Sequence, residues 1–226
     1  MSLTVIDRSI TAAAITRLVQ FHEEAKHLFT KFGMDLLSDL GRRNTLLSSA
    51  QEKFFCDALR DAGHVVESDG RPGQPDIIVR DPSTGLVHEI ECKLTTRNKH
   101  GGINLQTDYD TLLKKGMLDY LYVIASPTFS EFCVVYFERL TVEDFRVPAN
   151  GSRGKAGMLK HKSYSKSSVL MGEYQSLKQE NINKNTALLS QKLPNWRRKQ
   201  CQKSLDHWVT ADDRYRIVLE NVNAVS

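Results

Sequence analysis

Residues 74–94, QPDIIVRDPSTGLVHEIECKL, hold two strand-length apolar runs on either side of the turn-rich segment RDPSTG. Isoleucine and valine favour a pleated surface, and Pro, Ser and Gly mark the reversal between the runs. Paired as a hairpin, the runs bring Asp76, at the mouth of the first, beside Glu91 on the second. Side chains alternate along a strand, so Glu89, Glu91 and Lys93 share one face while His88, Ile90, Cys92 and Leu94 share the other. A carboxylate and an amine thus stand side by side, with a second carboxylate arriving from the neighbouring strand.

The flanking sequence places this hairpin in an α/β setting. Residues 8–32 carry Ile15, Leu18, Val19, His22, Ala25 and Phe29 at helical spacing. A second helix is predicted from Ser48 or Ser49 as N-cap, with Gln51 or Glu52 as the capping-box partner and Gly63 as a left-handed C-cap. Its stripe is Phe54, Phe55, Ala58, Leu59 and Ala62. HVVES, PDIIV and LVHEIECKL read as strands, residues 105–115 as a helix, YLYVIA and CVVYF as further strands, and TVEDF as a short helix. The order predicts one mixed sheet with helices on both faces. After Val147 the segment NGSRGKAGMLKHKSYSKSS has no apolar period. Residues 173–192 regain helical character, and Asn195 is expected to cap a last helix after Pro194.

Charge is distributed unevenly. Residues 1–150 hold 17 Lys and Arg against 21 Asp and Glu, whereas residues 151–226 hold 14 against 6. A basic surface beside an acidic core suits a protein that meets a polyanion. The four cysteines, at 56, 92, 133 and 201, include no C-x-x-C pair, which argues against a zinc ribbon or a disulfide scaffold. No apolar run approaches the ~18 residues of a membrane helix, and the N-terminus lacks a secretory pattern. The expected setting is a reducing cytoplasm, away from membranes.

Two carboxylates at the hairpin can hold a hard cation through oxygen, as Mg²⁺ prefers, and a neighbouring lysine can hold or activate a water. Alternating charge on a strand is also what an ordinary solvated sheet face shows. The acidic-x-Lys triplet occurs twice, but only Glu91-Cys92-Lys93 follows the sole Pro-Asp of the chain; Glu24-Ala25-Lys26 lies in the first helix.

On Glu52, Pro75-Asp76, Glu91-Cys92-Lys93 and Gln106, the stretch from about Ser48 to Phe137 resembles the PD-(D/E)xK nuclease superfamily, which includes most type II restriction endonucleases. The resemblance implies a restriction-endonuclease-like core within a single nuclease domain. Residues 1–45 would be an N-terminal helical region, 46–147 the catalytic core, and 148–226 a basic DNA-binding loop with a helical C-terminal extension. Asp76 and Glu91 would ligate Mg²⁺ together with the Cys92 main-chain carbonyl, and Lys93 would orient and activate the water. Glu52 would complete a second metal site, the alternative being that it only caps the helix with Ser49. Mn²⁺ would substitute for Mg²⁺, and Ca²⁺ would inhibit.

The implied activity is sequence-specific hydrolysis of double-stranded DNA to 5′-phosphate and 3′-hydroxyl ends. The alternatives are a structure-specific, defence or repair nuclease of the same fold, such as a junction resolvase, and a non-catalytic DNA-binding module. A homodimer matches a palindromic site. A cognate DNA methyltransferase would be the genetic partner in a prokaryotic cytoplasm. Candidate DNA contacts are Arg97 and Lys99 leaving the strand, Gln106, and Arg153, Lys155, Lys160 and Lys162 in the basic segment, where Lys and Arg would neutralise phosphates. His161 and Lys166 belong to the same basic stretch, and His100 and the tryptophans at 196 and 208 are weaker candidates. The alternative for the basic segment is a mobile charged loop.

Overall fold

Aspartates, not serines, start the two long helices. In the computed structural model, which describes residues 5–67, 74–82, 84–96, 103–148, 154–159, 163–172, 186–199 and 201–203, helix α1 spans Arg8–Lys31 behind Asp7. The Asp7 carboxylate accepts the Ile10 N–H at 2.8 Å. Helix α2 spans Leu40–Asp61, capped by Asp39. It therefore begins well before the expected Ser48 or Ser49, both of which lie inside it. The first turns escape a search for apolar stripes because a fully buried arginine, Arg43, occupies the inward position ahead of Leu47, Gln51 and Phe55. The predicted end holds: Gly63 takes φ +90°, and the His64 N–H returns to the Leu59 carbonyl at 3.0 Å. Of the predicted stripe Ala62 is exposed, and Cys56 is buried in addition.

The strands form a six-stranded mixed sheet. β1 (Val65–Glu67), β2 (Ile77–Arg80) and β3 (Val87–Thr96) run antiparallel in turn. β3 then pairs in parallel with β5 (Leu118–Ala125), which pairs antiparallel with β6 (Phe132–Leu140). β8 (Ser167–Met171) closes the order β1-β2-β3-β5-β6-β8. A parallel pair needs a crossover, and here it contains β4 (Gln106–Asp108) and helix α3 (Tyr109–Lys115). The helix expected over 105–115 thus opens with a strand, because Asp108 caps α3 by accepting the Thr111 N–H. β4 forms a separate ribbon with β7 (Lys155–Gly157). The segment expected to be a basic loop therefore carries one strand, β7, and leads directly into β8.

One face of the sheet packs Ile77, Val79, Ile90, Cys92, Leu121, Val123 and Tyr136 against Ile10, Ile15 and Leu18 of α1 and Leu47, Phe55 and Leu59 of α2. Sequestering such side chains contributes roughly 1.5–3 kcal/mol each. Arg43 fixes the far end of β3 to this layer. Its guanidinium donates to Thr96 Oγ1 and to the Pro127 carbonyl, both at 2.6 Å, and lies over the Phe129 ring. Burial lowers its pKa to about 10.

The chain divides into two compact units, Met1–Arg97 with Ile103–Gly172, and Asn98–Gly102 with Glu173–Ser226. The described residues of the second are helical at 186–189, 195–199 and 201–203. The Pro194 carbonyl accepts the Arg197 and Arg198 N–H groups, so Pro194 rather than Asn195 occupies the cap. Most of the helix expected over 173–192 lies outside the described residues. Among the described residues no helix is long and apolar enough to cross a membrane.

Candidate active site

The β2–β3 register sets the centre of the site. Ile77 pairs with Ile90, and one step further out Asp76, just before β2 begins, meets the Glu91-Cys92 segment. Its Oδ2 accepts the Cys92 N–H at 2.7 Å, so a side chain replaces the main-chain partner that β2 does not supply. On β3, Lys93 Nζ donates to Glu91 Oε1 at 2.5 Å, with the two side chains 30% and 15% exposed. The parallel register sets Glu91 against Tyr120 and Lys93 against Tyr122. Both tyrosines are buried, with ring centroids 5.9 Å apart. Tyr120 shares a hydrogen bond with Thr107 Oγ1, and the Tyr122 hydroxyl donates to the Gln106 carbonyl. The ion pair therefore sits beside a dry aromatic floor that also anchors β4.

Electrostatics tie Glu52 to the same cluster. It lies half-buried in the interior of α2, too far from the helix start to serve a capping box. Burial, then the charges of Asp76 and Glu91, raise its pKa to about 7 against the opposing pull of Lys93. Burial and then Glu91 raise Asp76 to about 6. Burial pulls the Lys93 ammonium down, but the charge and hydrogen bond of Glu91 and the charge of Asp76 outweigh it, and the net shift is upward. Lys93 is consequently a cation that donates protons to hydrogen bonds. It is not a base.

The donors suit a hard divalent ion: carboxylate oxygens, an excess of negative charge, and protonation equilibria raised first by burial and then by the neighbouring carboxylates. Mg²⁺ commonly binds through one or two carboxylates while keeping several waters, and Asp76 and Glu91 would be the carboxylates able to supply them. Among the described residues no group of three or more His, Cys, Asp and Glu side chains converges to hold a metal, so Glu52 joins the pair through its field. One oxygen of Asp76 is engaged by the Cys92 N–H and one of Glu91 by Lys93. The Cys92 side chain is buried in the core, and burial pushes its thiol well above its usual pKa.

Two of the seven expected DNA contacts fall on the β4–β7 ribbon. Gln106 is exposed on a strand rather than early in a helix, and Lys155 lies 3.6 Å from Asp108 with its side chain half-exposed. Arg97, Lys99, Arg153, Lys160 and Lys162 lie outside the described residues, as do His100, His161 and Trp208. Lys166 is committed elsewhere, to the buried Asp144 at 2.8 Å, and Trp196 is exposed. Sequence reasoning missed Tyr120 and Tyr122 as the floor of the site. Their spacing of two in LDYLYVIA signals a shared face, but not the strand they adjoin. No protein-family model and no curated protein matches the chain.

Proposed function

We propose that the chain is a Mg²⁺-dependent endodeoxyribonuclease with a restriction-endonuclease-like core, of the sequence-reading type II kind. The observation that carries this reading is the convergence of Asp76, Glu91 and Lys93 at the β2–β3 edge. Asp76 is pinned to the Cys92 N–H, and Lys93 is held against Glu91. The order of elements supports it too: a helix bearing Glu52 precedes an antiparallel hairpin bearing the Pro-Asp and Glu-x-Lys elements, as in the family the motif resembles.

Asp76 and Glu91 would hold the ion, which when bound would supply positive charge to the phosphate and the attacking water. Lys93, protonated and restrained by Glu91, positions an ammonium donor for a phosphate oxygen or for that water. Preorganised charge of this kind acts most strongly beside a low-dielectric wall, and Tyr120 and Tyr122 provide one. The water would lose a proton to bulk solvent as its oxygen bonds to phosphorus, the P–O3′ bond would break, and O3′ would leave with a proton taken from solvent.

Incubating the protein with a plasmid of known sequence and Mg²⁺, then sequencing the ends, tests the reading. Discrete cuts bearing 5′-phosphates support it. Cuts only at junctions or flaps would instead identify a structure-specific nuclease, and binding without any cleavage in Mg²⁺ or Mn²⁺ would identify a DNA-binding module.

A further inference from the structure

A further extended segment completes the β4–β7 ribbon. Phe145 bridges Met158 in antiparallel register, and the Arg146 N–H donates to the Gly157 carbonyl at 2.9 Å. Gly157 in turn pairs with Gln106 on β4. Residues directly opposite one another in an antiparallel ladder project to the same face, so Gln106, Gly157 and Arg146 form one row across the ribbon. The neighbouring residues show which face that is. Thr107, Ala156, Phe145 and Met158 are buried, whereas Gln106 and Arg146 are exposed.

The buried face of the ribbon rests on the sheet face that carries the ion pair. Glu91 and Lys93 stand opposite Tyr120 and Tyr122 in the β3–β5 register. Thr107 Oγ1 shares a 2.6 Å hydrogen bond with the Tyr120 hydroxyl, and the Tyr122 hydroxyl donates to the Gln106 carbonyl at 3.0 Å. The Phe145 and Tyr120 ring centroids are 5.7 Å apart. The exposed row is therefore tied through Tyr120 and Tyr122 to the strand beside Lys93. Neighbouring strands lie ~4.8 Å apart, so the backbones of Gln106 and Arg146 stand roughly 10 Å apart with Gly157 between them. A side chain added at Gly157 would enter open space, since no atom lies within 4 Å of its Cβ position. Among the described residues the Arg146 guanidinium makes no ion pair, whereas Lys155 lies 3.6 Å from Asp108.

Resting on the nuclease reading above, we propose that this row reads base edges in the major groove of DNA, Arg146 specifying a guanine and Gln106 an adenine. Side chains projecting from a β-ribbon reach base edges in the major groove, which is ~12 Å wide. A guanidinium presents two parallel donors, matching the O6 and N7 acceptors of guanine. A glutamine amide presents one acceptor and two donors, matching the N6 donor and N7 acceptor of adenine. That acceptor has no use on a phosphodiester, which carries no donor. Gly157, lacking a side chain, lets a base pair approach the backbone between the two readers.

Selection by the full chain from a randomised duplex pool in Ca²⁺ tests the assignment, followed by affinities for the selected duplex and each single base-pair change of it. Wild type, Arg146→Ala, Gln106→Ala and Gly157→Ile are compared, with circular dichroism melts to show each folded. Arg146→Ala is expected to lose about 10-fold discrimination or more at one G·C pair, and Gln106→Ala at a different A·T pair. Replacing that guanine with 7-deazaguanine, which lacks the N7 acceptor, should weaken wild type and leave Arg146→Ala unmoved. Gly157→Ile puts a strand-favouring side chain into open space and is expected to weaken the selected duplex about 10-fold, with random duplex little affected. Unchanged preferences in Arg146→Ala and Gln106→Ala, or wild-type affinity in Gly157→Ile, would overturn the proposal. So would an equal loss on every sequence, which would make Arg146 a phosphate contact. Mg²⁺ added to the same duplexes separates this proposal from the nuclease reading. A selected sequence that is bound but never cut removes the nuclease and keeps the base readers, whereas cutting without sequence preference removes the base readers and keeps the nuclease.

Discussion

The Asp76 carboxylate accepts the Cys92 N–H at 2.7 Å, one strand away and next to Glu91 in sequence. One side chain thus closes the β2–β3 ladder and carries half of the candidate ligand pair. The two roles separate by substitution. Asp76→Asn keeps an acceptor for Cys92 but loses the charge, whereas Asp76→Ala loses both. The Ala variant is expected to be less stable than the Asn variant by about 1–3 kcal/mol, the cost of leaving a buried donor unpaired. Urea unfolding of the two side by side checks this, and equal midpoints would remove the structural role.

Lys93 is restrained by Glu91 and protonated, so its removal should affect catalysis more than binding. Lys93→Ala is expected to lower single-turnover cleavage in Mg²⁺ by at least ~100-fold, the scale of one lost transition-state charge contact. Gel shifts in Ca²⁺ should still show specific DNA binding. Wild-type turnover in this variant would remove Lys93 from the centre.

Glu52 stands in the middle of α2, so Gln cannot preserve a capping role there. Glu52→Gln is expected to slow cleavage by ~100-fold if the carboxylate acts on the reacting groups, with no loss of melting temperature. A wild-type rate would leave Asp76, Glu91 and Lys93 as the whole centre.

The raised pKa values of Asp76, about 6, and Glu52, about 7, carry a stability signature. Between the unfolded values, 3.8 and 4.5, and these folded values, the native protein retains protons that the unfolded chain has released. From these two groups, stability of the metal-free protein therefore falls as pH rises through roughly 4 to 7. Asp7 and Asp108, whose folded values are lowered chiefly by main-chain hydrogen bonds from Ile10 and Thr111, act with the opposite sign. Their contribution is lost only as pH falls through their folded values, below 3.8. Melting in a chelator across this range should show the fall in wild type and not in the Asp76→Asn, Glu52→Gln double variant. Identical profiles would contradict the assignment of the shifts.

Lys155 is already partly neutralised by Asp108. Lys155→Ala is accordingly expected to shallow the salt dependence of DNA binding by less than about one unit of log–log slope, without changing which sequence is cut. A steeper loss would mean that the ion pair opens when DNA binds.

Much of this was legible in the chain. Short apolar runs assigned β2, β5 and β6, and alternation along β3 with the Pro-Asp element named the pairing of Asp76 with the Glu91 strand. What failed did so for local reasons. A buried arginine at position 43 hid the first turns of α2, and that error alone made Glu52 look like a capping residue. β4 and β7 are three residues each and exist by pairing with one another, a relation that no single segment displays. β8, mostly half-buried, shows no clean alternation. Tyr120 and Tyr122 were missed as the floor because the parallel register of β5 against β3 is set by a crossover, not by either strand.

The most direct measurement compares wild type with Asp76→Asn on one DNA carrying a mapped cut site, in Mg²⁺ and in a chelator, with folding of both checked by circular dichroism. The expected result is cleavage by wild type in Mg²⁺ alone and none by the folded Asp76→Asn variant. Cleavage by Asp76→Asn at the wild-type rate, or cleavage by wild type in the chelator, would contradict a metal-dependent centre built on Asp76 and Glu91.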